Sequence, residues 1–134
     1  MNKIILLGRL TRDPETRYTA SGRAVTQFTL AVDRPFTNQN GDRESDFIPV
    51  VIWGKTGEQA GAHLTKGQRC LVEGRLQIRS YEAKDGSKRY VAEAICDRFE
   101  FIERKSDSPH PAAQQYSAPE EYEQAVPFSE EVPF

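Results

Sequence analysis

The sequence predicts an all-β domain, a small five-stranded Greek-key barrel with one short helix, followed by a disordered acidic C-terminal tail. Three observations predict this organisation. Apolar residues alternate with period two, turn dipeptides separate the alternating segments, and the composition changes abruptly near Arg104. With 134 residues, 37% of them hydrophobic, the chain can form one domain of roughly 100 residues plus an appendage, but not two domains.

Five segments have the pattern of strands. In the second of them, for example, Phe28, Leu30 and Val32 alternate with smaller residues. Turn dipeptides punctuate the chain at Asp13-Pro14, Ser21-Gly22, Asn40-Gly41 and Asp85-Gly86, and the last of these predicts a long hairpin. The predicted strands are Ile4 to Leu10, a segment around 28–32, 47–53, about 69–81 and about 88–102.

One helix is predicted between the third and fourth strands, from about Thr56 to Leu64. Ala60 and Leu64 share its apolar face, and Lys66-Gly67 ends it, since glycine readily takes the left-handed conformation that closes a helix. Five strands with a single helix in this position follow the order of an OB-fold, a small Greek-key barrel.

Alternation within the third strand separates core from surface. Successive side chains point to opposite faces, so Ile48, Val50 and Ile52 form an aliphatic face that we assign to the core. Phe47 and Trp53 share the other face. Two large rings on the outside of a small barrel predict contact with solvent or a partner.

The next long strand shows a similar pattern. Leu76 and Ile78 are assigned to the core face, and Arg75, Arg79 and Tyr81 to the outer face. Aromatic rings interleaved with guanidinium groups suit single-stranded nucleic acid, because every base offers a π-face and every nucleotide a phosphate. The alternative is that these rings only pack and these arginines are only solvated.

Candidate phosphate contacts are basic side chains spread over the predicted strands and turns. They are Arg9, Arg34, Lys55, Arg75, Arg79 and Lys88.

The charge is divided unevenly along the chain. Residues 1–104 carry 17 Lys and Arg against 14 Asp and Glu, whereas residues 105–134 carry one Lys against six acids. A mildly basic body joined to an acidic tail predicts a polyanion-binding surface on the body and a separate interaction segment on the tail.

The tail is assigned to residues 105–134, and the domain to residues 1–104. The tail lacks Gly, Leu, Ile and Trp but holds five of the eight prolines, so it cannot bury enough apolar surface to offset the cost of ordering. Val126-Pro127-Phe128 recurs at the terminus as Val132-Pro133-Phe134. The upstream copy is either a weaker second site or a chance match.

No catalytic, cofactor or metal site is predicted. His63 and His110 are isolated, no GxxxxGK loop occurs, and neither Cys70 nor Cys96 belongs to a ligand cluster. Both cysteines are expected to be small buried side chains. The longest apolar run, beginning at Ile4, is too short for a membrane span or signal peptide, so a cytoplasmic protein without membrane contact is expected.

Several motifs together resemble the bacterial single-stranded DNA-binding protein family. The matching segments include the opening Asn2-Lys3-Ile4-Ile5-Leu6-Leu7-Gly8-Arg9-Leu10, Val50-Val51-Ile52-Trp53-Gly54-Lys55, and Val72-Glu73-Gly74-Arg75-Leu76. The resemblance covers about residues 1–104. It implies an OB domain, a homotetramer, and single-stranded DNA as the ligand, with association with the nucleoid and roles in DNA replication, recombination and repair. The base-stacking aromatics that it implies are Phe36, Phe47, Trp53 and Tyr81.

The resemblance also extends to the chain's acidic tip. It implies that this tip docks into apolar pockets with basic rims on replication, recombination and repair proteins. The tip residues are Glu130, Glu131, Val132, Pro133 and Phe134.

Three other functions remain open at this point. An RNA-binding OB module would use the same stacking and phosphate contacts. A primosomal replication protein of the same fold would lack the acidic tail. A pure protein adaptor would leave the Arg75, Arg79 and Tyr81 face unexplained.

Overall fold

A computed structural model of the chain describes residues 1–102, which form six strands and one helix. The elements in chain order are β1 Ile4–Leu10, β2 Glu15–Tyr18, β3 Ala24–Thr37, β4 Arg43–Trp53, α1 Gly54–His63, β5 Arg69–Glu82 and β6 Lys88–Phe101. The five predicted strands are confirmed, as is the helix after the third. The short strand β2 was missed, because its four residues carry no apolar alternation. The predicted tail, 105–134, lies outside the described residues.

Five of the strands close into a barrel. The sheet runs in the order β1, β5, β6, β4, β3, and β3 returns to β1 through the pairs Arg9 with Ala31 and Leu10 with Leu30. Only β4 and β6 pair in parallel among these neighbours. The strand β2 lies outside the closure on the edge of β3. The predicted five-stranded Greek-key barrel is therefore confirmed.

The barrel interior holds one apolar core. Val50 and Ile52 of β4 are fully buried there, with Ile48 packed against them, as the alternation predicted. Ala60 and Leu64 add the apolar side of α1 to the same core. The remaining buried members are Leu10, Phe28, Leu30, Cys70, Val72, Ala94 and Cys96. Burial raises the pKa of the Cys70 thiol to about 12 and that of Cys96 to about 11.

The helix ends differently from the prediction. Its last turn closes when the N–H of Leu64 donates to the carbonyl of Ala60 at 2.9 Å, with Leu64 extended. Gly67 does have a positive φ of 83°, but it lies in the following turn, where its N–H donates to the carbonyl of Leu10 at 2.8 Å. This glycine therefore connects the helix to the barrel instead of capping the helix.

The hairpin of β5 and β6 extends beyond the barrel. Pairing of β5 with β1 stops at Gly74, and β6 pairs with β4 only at Ala94 and Ile95. Past these points the two strands pair only with each other. Leu76 and Ile78 are consequently 41% and 62% exposed, so their assignment to the core was wrong. Both residues lie on the strand face that points into the barrel at Val72. Among the described strands, only β6 pairs with the part of β5 that carries them.

Candidate nucleic-acid interface

The outer face of β4 carries two aromatic rings, Phe47 in the middle of the strand and Trp53 at its end. Phe47 and Trp53 are both partly exposed and lie six positions apart, about 20 Å along an extended strand. Val51, between them, is 1% exposed and packs with Val25 and Ile95 in a small cluster outside the main core, against which Trp53 rests. The predicted separation of this face from the core is thus confirmed.

The strand and helix boundary positions Trp53. It is the last residue of β4 and directly precedes α1, with an extended backbone at φ −97° and ψ 153°. In the sheet it pairs with Val25 of β3. The guanidinium carbon of Arg23 lies 4.6 Å from the centroid of the indole ring, a cation–π contact. Beside this pair opens a groove of about 360 Å³, which Arg75 and Asp97 also line.

Phe47 borders a second groove, of about 440 Å³, between β4 and the hairpin. Pro49 and Leu76 are among its apolar walls, and Tyr90 of β6 contributes a ring that is 69% exposed. The ammonium of Lys88 lies 5.8 Å from the Tyr90 ring centroid. The lining of this groove therefore combines apolar walls, two aromatic rings and the carboxylate of Asp46, and Lys88 lies beside Tyr90 outside the lining.

Arg79 is placed differently from the expectation of an outward-facing phosphate contact. Its Nε donates to Oε1 of Glu93 at 2.6 Å, and the two side chains are only 8% and 2% exposed. Burial raises the pKa of Glu93, while the Arg79 charge and hydrogen bond act in the opposite direction. The pair ties β5 to β6, so Arg79 has a role inside the protein.

Arg9 is also buried, and its guanidinium donates to the carbonyl of Gly67 at 3.1 Å. Both Arg9 and Arg79 therefore support the domain from within. A phosphate would have to compete with these internal contacts to reach either guanidinium.

The other predicted basic residues reach the surface to different extents. Arg34 forms exposed ion pairs with Glu44 at 2.6 Å and Asp46 at 2.9 Å, and Asp46 raises the pKa of the guanidinium. Exposed pairs of this kind contribute little stability, so a phosphate can replace them at low cost. Lys55 and Lys88 are exposed.

The predicted stacking residues do not form one cluster. Phe36 is 62% exposed near the end of β3, and Tyr81 is partly exposed near the tip of the hairpin, opposite Arg89. Together with Phe47 and Trp53 they are distributed along the outer surface. A spread of rings suits a strand of successive bases better than a single small molecule.

Sequence reasoning missed Arg23 and Tyr90. Tyr90 had a usable signal. It lies two residues after Lys88 on a predicted strand, so the aromatic ring and the cation share one face. Arg23 had none, because its contact with Trp53 depends on the pairing of β3 with β4. That register cannot be read from local sequence.

Residues 1–102 contain no group of three or more side chains able to hold a metal ion. Within the same range, no helix has the length and apolar character needed to cross a membrane.

Comparison with known proteins gives concordant matches. The "Single-stranded DNA-binding protein" of Enterococcus faecalis is 53% identical over 108 residues, covering 81% of this chain and 57% of that relative. The protein of the same description from Clostridium tetani is 52% identical over 104 residues, or 77% of this chain and 71% of the relative. "Single-stranded DNA-binding protein 2" of Listeria monocytogenes is 49% identical over 108 residues, or 81% of this chain and 68% of the relative.

The chain thus spans little more than half the length of the Enterococcus relative. A family model described as "Single-strand binding protein family" matches residues 1–102, which include every strand and the helix described above. The chain therefore belongs to the single-strand binding protein family.

Proposed function

We propose that the chain binds single-stranded DNA without sequence specificity, through base stacking and phosphate contacts, and that it is not an enzyme. The observation that carries this proposal is the pair of aromatic rings on β4. Trp53 borders a groove that Arg23 and Arg75 also line, and Phe47 borders a second, mainly apolar groove with the ring of Tyr90. Stacking on such rings is worth about 1–3 kcal/mol per base and tolerates every base. Membership in a family of non-enzymatic DNA-binding proteins supports the same conclusion.

Separated single bases fit these grooves better than a duplex does. The rings lie on a curved barrel surface and at its hairpin, and stacking on them requires a base with a free face. Bases in a duplex already stack on each other. We assign stacking to four aromatic residues, Phe36, Phe47, Trp53 and Tyr81.

We assign phosphate contacts to the basic residues that reach the surface, and not to Arg9 or Arg79, whose guanidinium groups have the internal roles described above. The assigned set is Arg34, Lys55, Arg75 and Lys88. Because each contact releases counterions, the affinity should fall with salt, with a slope of about −0.7 per phosphate.

The binding test is a titration of full-length protein with fluorescein-labelled oligo-dT, matched duplex DNA and matched RNA at two salt concentrations. We expect oligo-dT to bind most tightly and to weaken with salt. Equal affinity for duplex, or an affinity independent of salt, would contradict the proposal. Tighter binding of RNA would favour the RNA-binding OB module instead.

We propose that the functional assembly is a homotetramer. Ile5 and Leu7 on the outer side of β1 are 61% and 44% exposed, and Ile78 on the hairpin is 62% exposed. Residues 4–8 of β1 pair with β5 on one edge, while pairing with β3 is limited to Arg9 and Leu10. Exposed apolar residues next to an open strand edge favour association. Sedimentation equilibrium should give four times the chain mass, and a monomer at all concentrations would refute this.

We propose that residues 105–134 form an acidic tail beyond the DNA-binding domain of residues 1–104, and that its tip recruits replication, recombination and repair proteins. Phe134 offers an apolar ring, and Glu130 and Glu131 offer charge to a basic rim. Deleting residues 132–134 should abolish partner recovery in pull-downs and leave oligo-dT affinity unchanged or slightly higher. Equal recovery by both proteins would show that the tip is not a docking site.

A further inference from the structure

The turn between β2 and β3 fixes Arg23 in front of β3. The N–H of Thr19 donates to the carbonyl of Arg23 at 2.9 Å, and the N–H of Arg23 donates to Oγ1 of Thr19 at 3.1 Å. Gly22, with a φ of 86°, donates from its N–H to the carbonyl of Thr19 at 2.8 Å. These bonds hold the backbone of the turn, so Arg23 leaves it in a defined direction.

Strand pairing then brings Arg23 to Trp53. Val25 lies opposite Trp53 in the sheet, and Arg23 is two residues before Val25, on the same face. Its guanidinium carbon is 4.6 Å from the indole centroid, inside the limit of about 6 Å for a cation–π contact. Arg23 is exposed, so its guanidinium remains accessible to a ligand while it covers the ring.

The groove beside this contact has the charge and size for one nucleotide. Arg23 and Arg75 both line it, against one carboxylate, that of Asp97. Arg75 also donates to Oε1 of Gln77 at 3.1 Å, which restrains its direction. The groove volume of about 360 Å³ falls within the range of about 300–1,000 Å³ that small-molecule sites occupy.

We propose that Arg23 is a DNA-contacting residue that completes this groove as a nucleotide subsite, binding the phosphate of a nucleotide that enters the groove beside Trp53. This inference rests on the proposed single-stranded DNA binding and adds a residue to it. A guanidinium presents several donors in a planar fork that matches phosphate oxygens. Since Arg23 is already ordered against the ring, it loses less conformational freedom on binding than a fully mobile side chain does.

The test compares R23A, R23K and the control R17A, each as full-length protein, with labelled (dT)10. Arg17 is exposed, pairs in register with Val25 on the same face, and forms an ion pair with Glu15 at 2.8 Å. The R17A variant therefore removes the same charge close by without touching the ring. We expect R23A to weaken binding about tenfold at low salt and to reduce the salt slope by about 0.7, the value for one phosphate contact.

The R23K variant should keep the salt slope but recover only part of the affinity, because lysine lacks the planar fork. At the same salt concentration R17A should stay within about twofold of wild type, because Arg17 does not line the groove. An R23A affinity within twofold of wild type, or an equal loss in R17A, would overturn the assignment of Arg23.

A measurement without DNA separates this inference from the proposed function. The chain has one Trp, so intrinsic tryptophan emission reports on Trp53 alone. We expect a red shift in R23A and none in R17A, because loss of the guanidinium exposes the ring to water. An unshifted R23A spectrum counts against the contact. If wild type does not bind (dT)10, the proposed function itself fails, whereas normal binding by both wild type and R23A removes only Arg23 from the site.

Discussion

The buried ion pair between Arg79 and Glu93 predicts a large stability loss in R79M. The Nε to Oε1 distance is 2.6 Å and the side chains are 8% and 2% exposed, so the pair is almost fully desolvated. Removing the Arg79 cation leaves the Glu93 carboxyl buried without its partner. Breaking a buried ion pair in this way lowers the free energy of unfolding by about 3–5 kcal/mol. For a domain of this size, about 4–8 °C of Tm corresponds to each kcal/mol, so Tm should fall by more than about 10 °C.

The matched control is R98M. Arg98 is paired with Glu100, but the two side chains are 65% and 47% exposed. Exposed pairs contribute little net stability, so R98M should shift Tm by only a few degrees. Thermal unfolding of all three proteins, followed by circular dichroism at one protein concentration, makes the comparison. Similar shifts for R79M and R98M would refute the structural role of the buried pair.

The pH dependence of R79M gives an independent check. Burial already raises the pKa of Glu93, and Arg79 opposes that rise. Without Arg79 the pKa rises further, so the folded protein binds a proton more tightly than the unfolded chain does. Such a group stabilises the folded state at low pH and loses that contribution as pH rises from the ordinary carboxyl value toward the folded pKa. The Tm difference between R79M and wild type should therefore shrink from pH 8 to pH 5, and a constant difference would contradict the argument.

Three further predictions concern single positions. W53A should weaken oligo-dT binding by about 1–3 kcal/mol. It should also lower the stability of the domain, because the ring packs partly against Val25, Val51 and Ile95. Unaltered binding by a destabilised W53A protein would show that Trp53 has only a structural role. G74A should destabilise the folded domain by about 1–3 kcal/mol, because the added Cβ would lie 1.9 Å from the carbonyl oxygen of Ile95. The control S80A, at an exposed position of the same strand, should leave stability unchanged. Equal denaturation midpoints for the two variants would contradict this prediction. K88A should reduce the salt slope of oligo-dT binding by about 0.7 without changing Tm, and an unchanged slope would remove Lys88 from the phosphate contacts.

The barrel could be predicted because core-facing and outward-facing side chains alternate along those strands that have the core on one face. In β4, Val50 and Ile52 enter the core and Trp53 does not, as period-two alternation requires. The same rule failed for Leu76 and Ile78 in β5. Alternation indicates the face of a side chain, but burial also needs a covering layer, and the hairpin leaves the barrel before these positions.

The candidate site could be predicted only in part for a similar reason. Trp53 and Phe47 follow from parity within one strand, whereas the contact of Arg23 with Trp53 joins two strands through a register. The internal partner of Arg79 also comes from another strand, since Glu93 belongs to β6. Local patterns identify candidate side chains for DNA binding. Only strand pairing determines which of these side chains already bond to other residues inside the protein.

Closure of the barrel by β1 and β5 has a consequence for folding during synthesis. Ile4 pairs with Gly74, so the first strand waits for a partner made about seventy positions later. At about 5–20 residues per second, translation takes roughly 4–14 s to produce that partner. Pairing of such distant segments is also slow in itself, because loop closure must precede the contacts that reward it. The nascent chain therefore exposes Ile4 and Leu6, which pack against the core of the finished barrel, on an incomplete sheet for seconds, and a chaperone or a neighbouring nascent copy has access to them in that interval.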